Sequence, residues 1–132
     1  MWLAMKPECN GRNMGHVRVP IKLANAEHRE LSVDVEDALV DTGATWTTIP
    51  RSLADELQLP AIGEVTGRTA GGTQTLEQSY CYFELEGKTG VGPLLISDMV
   101  DIVLIGVLTL ESAALAVDPS SGRLTETELY LL

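Results

Sequence analysis

Ala38-Leu39-Val40-Asp41-Thr42-Gly43-Ala44-Thr45 is the stretch on which the reading of this chain turns. An apolar run ends in one carboxylate, and a glycine follows two positions later. A carboxyl group at the end of a buried strand sits in a low-dielectric setting, where ionisation is costly and a proton can be shared with a neighbouring acid. Gly43 lets backbone come close where a side chain would block it. The bland reading of Asp41 is a turn aspartate that satisfies local N–H groups. The apolar run in front of it favours a chemical role.

Upstream, Val17, Val19, Ile21 and Leu23 alternate with polar or small residues, and so do Leu31, Val33 and Val35. This period of two predicts two half-buried strands joined by a turn at Asn25-Ala26-Glu27-His28, the second running on into Asp41. Downstream, Thr47-Thr48-Ile49 leads to Pro50, which can open a short helix because its missing N–H is no loss there. Leu53, Ala54 and Leu57 share one face of that helix, and Pro60 marks its end. Val65 to Ala70, Gly71-Gly72 and Thr73 to Leu85 read as a long β-hairpin with a glycine tip. Val91 to Ile96 and Ile102 to Ile105 read as further strands, the second stopping at Gly106. Leu108, Leu110 and Ala114 suggest a brief helix. Leu115-Ala116-Val117, the turn Asp118-Pro119-Ser120-Ser121-Gly122 and a weakly alternating tail, Leu124 to Leu132, complete the chain. Residues 1–13 show no period, so a disordered N-terminal extension is expected in front of a single domain over 14–132.

Composition narrows the classes. At 132 residues there is room for one modest core. Hydrophobic residues make up 45% and aromatics only 5%, so Val, Leu, Ile and Ala must build that core. A formal net charge of -10 would repel a phosphate backbone, which argues against nucleic acid as a partner. No stretch is long and apolar enough to cross a bilayer, and the opening Met-Trp-Leu-Ala-Met is too short for the apolar part of a signal peptide. Cys9 and Cys81 lie in no metal-ligand or CxxC spacing and read as free thiols, which fits a cytoplasmic protein. No cofactor is called for.

The stretch from Ala38 to Thr45 resembles the active-site loop of aspartic proteases, in which apolar residues precede Asp-Thr/Ser-Gly-Ala/Ser/Thr. Leu104-Ile105-Gly106 before a short helix resembles the segment that crosses beneath that loop in the same family. Asp118-Pro119-Ser120-Ser121-Gly122-Arg123-Leu124 resembles the segment after the helix in the cellular, non-viral members of the retropepsin-like group. The resemblance covers nearly all of 14–124. It implies a mainly β, half-barrel acid-protease fold with one or two short helices, and peptides or proteins as substrate. It also implies Asp41 as the catalytic residue, supported in its loop by Thr42, Gly43 and Ala44. Thr69, Ala70, Gly71, Gly72 and Thr73 would form the tip of a flap over the substrate, closing to exclude water.

This chemistry needs two carboxylates, one accepting a proton from water while the other donates one to the scissile carbonyl. The chain has a single Asp-Thr/Ser-Gly. Symmetry must then supply the second, most simply in a two-fold homodimer with one Asp41 from each copy. The resemblance gives Thr42 the role of reaching across the axis to the partner loop, and the tail from Thr125 to Leu132 is a candidate interface strand. Ala44 stands where pepsin-like enzymes usually carry Ser or Thr. Without that hydroxyl the shared-proton state should persist to higher pH, with activity in mildly acidic to near-neutral conditions.

Other acids read more simply. Asp34, Glu36 and Asp37 look like the solvated face of a strand, not metal ligands, and Asp98 and Asp101 like a loop. His16 and His28 have no Ser or Cys partner and read as surface residues. The competing reading from another class is a non-catalytic module that keeps the fold and dimer to bind peptides or to associate. A phosphate-handling loop at 41–45 would need a longer chain of alternating β and α units.

Overall fold

The computed structural model describes residues 16–69 and 71–127. The two alternating segments form β1 (His16–Asn25) and β2 (His28–Asp41), paired antiparallel in register from His16↔Asp41 to Asn25↔His28. Val17, Val19, Ile21 and Leu23 all face the core and are buried. The register slips between Val19 and Ile21, so Pro20, which has no N–H to give a ladder, sits exposed in a bulge. Asn25 is buried, and its side chain is satisfied on both sides. Its Oδ1 accepts from the Glu27 and His28 N–H groups, and its Nδ2 donates to the Leu57 and Gln58 carbonyls. The turn is thereby tied to the end of the first helix.

β3 (Thr47–Pro50) leads into α1 (Arg51–Glu56), with Pro50 at the N-cap as its chemistry suggests. β4 (Gly63–Thr69) and β5 (Gly72–Leu85) form the expected hairpin, in register from Gly63↔Gln78 to Thr69↔Gly72. β6 (Lys88–Ser97) is longer than the Val91 to Ile96 run predicts. It begins after a tight turn in which Glu86 and Gly87 both have positive φ, 52° and 78°. β7 is only Leu104–Ile105, not the whole of Ile102 to Ile105, and α2 spans Val107–Ser112. Ala114, expected in that helix, lies beyond it at φ 57°. β8 (Leu115–Asp118) and β9 (Arg123–Glu126) pair across the predicted turn. The extension at 1–13, Ala70 at the hairpin tip and the last five residues of the tail lie outside the described residues.

The seven strands β1 to β7 run in the order β1-β2-β7-β3-β6-β5-β4, and the sheet curls until β1 also pairs with β5 between Lys22↔Glu84 and Ala24↔Tyr82. The result is a small, mainly β barrel with β4 hanging from β5 as a two-stranded arm, as the half-barrel expectation requires. Its core holds Leu23, Val40, Ile49, Leu57, Leu85, Leu94 and Ile105, each nearly or wholly inaccessible. Truncating one of the leucines to alanine should cost about 2–5 kcal/mol. Among the described residues, no helix is long and apolar enough to cross a membrane.

Cys81 is a free, buried thiol in β5, and burial pushes its pKa up to about 12. It should react slowly with an alkylating reagent in the native protein and promptly in denaturant. Rapid native labelling of Cys81 would show that β5 opens readily and is not a fixed strand of the barrel.

Candidate active site

β2 is buried at Ala38, Leu39 and Val40 and emerges at Asp41, which is half-buried. Leu39 and Val40 pair in parallel with Leu104 and Ile105 of β7, and the Leu39 N–H donates to the Val103 carbonyl at 2.9 Å. Asp41 therefore leaves the sheet from a strand held on both edges, by β1 and by β7. The loop then turns sharply. The Gly43 N–H donates to Asp41 Oδ1 at 3.0 Å, and the Ala44 N–H donates to the Asp41 carbonyl at 3.0 Å. Thr42 and Gly43 are exposed, and the Thr42 side chain has no hydrogen-bond partner among the described residues.

The loop is fastened from below by Gly106 and α2. A helix starts with N–H groups that have no intrahelical acceptor, and the Gly106 N-cap offers no side chain to satisfy them. The loop carbonyls do so instead: the Val107 N–H donates to the Ala44 carbonyl at 2.9 Å and the Leu108 N–H to that of Thr45 at 3.0 Å. The Gly106 N–H donates to Thr47 Oγ1 at 3.0 Å, and that hydroxyl lies 2.6 Å from Thr109 Oγ1, a buried hydrogen bond. Gly106 has no room for anything larger. A Cβ there would stand 2.5 Å from the Trp46 carbonyl carbon and 2.8 Å from the Thr45 oxygen.

Beside the loop lies a cleft of about 490 Å³. One wall is Ala44, Thr45, Trp46 and Thr48, with Leu95 behind; the other is the β4–β5 arm, through Val65, Gly67, Gln74 and Leu76. Strand alternation explains the set. Thr47 and Ile49 point into the core, so Trp46 and Thr48 point out, and Val65 opposes Leu76 as Gly67 opposes Gln74 on one face of the arm.

The structure thus brings Asp41, Thr42, Gly43 and Ala44 together in one loop and sets the arm that carries Thr69, Gly71, Gly72 and Thr73 across the cleft from Ala44. Nothing in the geometry assigns those tip residues a contact with substrate. Sequence reasoning missed Thr47 and Thr109, whose only signal is a polar residue in an otherwise apolar pattern, and it missed the cleft walls Trp46, Thr48, Gln74, Leu76 and Leu95. Asp34 and Glu36 alternate with half-buried Val33 and Val35 and are exposed, as a solvated strand face should be. Asp37 lies 3.8 Å from Arg18, and His28 is exposed.

A curled sheet, an Asp-Thr-Gly loop crossed from below by an apolar-Gly segment, and a hairpin arm over a cleft together define the retropepsin-like fold. The chain belongs to the aspartyl protease family, whose sequence profile matches residues 19–107. The retroviral protease-like domain of Ddi1 from Leishmania major is similar to it in structure. The TM-score is 0.53 at 16% identity, with 86% of this chain and 90% of that one covered. The EIAV protease, solved with the inhibitor HBY-793, gives a TM-score of 0.50 at 17% identity over 78% of this chain and 90% of that one. These likenesses concern the fold. No curated protein matches the chain.

Proposed function

We propose that this protein is an aspartic endopeptidase whose active form is a homodimer, with Asp41 of each copy supplying one half of the catalytic pair. The observation that carries the reading is the placement of Asp41: a lone Asp-Thr-Gly carboxylate at the mouth of a buried strand, in a loop pinned by α2, beside a cleft roofed by a hairpin. Two such carboxylates brought together cannot both ionise, so one stays protonated. The ionised one takes a proton from water as its oxygen attacks the peptide carbonyl carbon, and the protonated one gives its proton to the carbonyl oxygen. The resulting tetrahedral diol collapses as the C–N bond breaks, a proton passing to the leaving nitrogen. Water is consumed, an acid and an amine are released, and no bond to the protein forms.

Thr42 is exposed and unpartnered among the described residues, which suits a hydroxyl that bonds across a two-fold axis. The reading is tested by incubating the chain with a diverse peptide mixture and reading new termini by mass spectrometry. Cleavage should resist reagents that acylate serine or alkylate cysteine, because no nucleophilic side chain is used. A protein that binds peptides in the cleft without cutting them would establish the non-catalytic module instead.

Ala44 gives a pH test of the shared proton. In Ala44→Ser the new hydroxyl can donate to the ionised carboxylate of the pair, so the upper limb of the pH–rate profile should fall at lower pH than in the wild type. An upper limb that stays in place or moves upward removes residue 44 from any part in tuning the pair.

A further inference from the structure

Arg51, the first residue of α1, lies outside the cleft and has no part in the chemistry above, yet it joins three separate pieces of the chain. Its Nε donates to Asp98 Oδ1 at 3.0 Å, and one terminal nitrogen donates to Glu77 Oε1. Strand pairing explains the first contact. β3 and β6 run parallel with Pro50 beside Ser97, so the next residues, Arg51 and Asp98, leave the sheet side by side. The second contact crosses the end of β6 to reach β5, a span of roughly two strand spacings, about 10 Å, which a long forked guanidinium can bridge.

Glu77 occupies a particular place. From Gly72 to Gln78, β5 pairs with β4; from Glu77 to Leu85 it pairs with β6. Glu77 therefore sits where the barrel wall ends and the two-stranded arm begins. A two-stranded ribbon is marginal by itself and twists readily, so its angle to the barrel is decided at this junction. That angle sets the distance of Val65, Gln74 and Leu76 from Trp46 and Thr48 across the cleft. Glu77 is also directly opposite Glu64, which makes no ion pair among the described residues. Like charges facing each other across a ladder repel, and Arg51 is the cation that offsets this repulsion. The far edge of the junction is held by the Ile62 N–H to the Gln78 carbonyl at 2.9 Å and by the Ser79 hydroxyl to the Pro60 carbonyl.

We propose that Arg51 is a positioning residue, a hinge pin that fixes the β4–β5 arm over the cleft through Glu77 while Asp98 holds the guanidinium in place. Its catalytic consequence rests on the protease reading above; its structural consequence does not. The test is amide hydrogen exchange on the full chain, comparing the wild type with Arg51→Met, Arg51→Lys and the double variant Arg51→Met with Glu77→Gln. In Arg51→Met, exchange should rise about three- to tenfold in β4 and in the β4-paired part of β5, and stay unchanged in β1 and β2. Arg51→Lys should keep part of the protection, and Glu77→Gln should restore part of it in the Met background by removing the repulsion with Glu64. Raising salt to about 0.5 M should loosen the wild-type arm by weakening Arg51 against Glu77 and tighten that of Arg51→Met by screening Glu64 from Glu77, so that the two draw together.

On a peptide that the wild type cleaves, kcat should fall and KM rise together with the pH profile unmoved, as for a hinge and not for a proton-transfer group. Unchanged exchange in the arm of Arg51→Met overturns the proposal whatever the activity does. A loosened arm with unaltered kcat and KM overturns its link to turnover. If the wild type cleaves no peptide, the protease reading fails by itself, and the exchange comparison still decides on the hinge.

Discussion

Asp41→Asn is expected to abolish peptide hydrolysis, with a loss of about 10²–10⁴-fold or more, and to leave fold and assembly intact. Asparagine has the same shape, and its Oδ1 can keep the hydrogen bond from the Gly43 N–H. What it cannot do is share or accept the proton that the attack of water requires. Because Asp41 is only half-buried, the substitution adds no cavity and strands no buried charge, so thermal stability should change little. A variant that cuts peptides at the wild-type rate would sink the assignment of Asp41, and one that fails to fold would make the residue structural.

Gly106→Ala should have the second-largest effect, and for a purely steric reason. The new methyl would lie 2.5 Å from the carbonyl carbon of Trp46 and 2.6 Å from its oxygen, both backbone atoms that cannot rotate away. The loop or α2 must shift, at a cost of about 1–3 kcal/mol for overpacking. The same shift strains the hydrogen bonds from Val107 and Leu108 to the loop carbonyls. Displacing a catalytic group by about 1 Å can cost on the order of 10²-fold in rate, so activity should fall more than stability does. Gly90→Ala is the control. There the nearest atom is Phe83 Cζ at 3.1 Å, the far end of a side chain that can give way, and a smaller loss of stability with near-normal activity is expected. Equal effects at both glycines would mean that the loop contact at Gly106 has no special role.

The parts of the fold that were legible in the sequence are those that local chemistry dictates. β1 and β2 show their alternation because each has one face on the core, and the bulge at Pro20 does not disturb it. The Asp41 loop was legible because Gly43 and the apolar run before it are required within eight residues, and Gly106 because close backbone approach leaves no alternative. The start of β6 was hidden for a physical reason. Lys88, Thr89 and Gly90 carry no strand pattern of their own, but Gly90, like Gly92 within the expected strand, makes room for the Phe83 ring on the adjacent strand, a long-range contact. β7 was overextended because Ile102 and Val103 are as apolar as Leu104 and Ile105; only register with Leu39, Val40 and Thr48 separates them. The cleft walls and the reach of Arg51 to Glu77 depend on which strands become neighbours, which no single segment of sequence encodes.

The proposed mechanism requires two Asp41 residues to meet, and the concentration dependence of specific activity probes that pairing without any substitution. Hydrolysis of one peptide should be followed over a dilution series, with the dimer fraction at each concentration taken from sedimentation. Specific activity should rise with concentration in proportion to the dimer fraction and level off once dimer predominates. Specific activity that stays constant down to concentrations at which the chain sediments as a monomer would contradict the shared site.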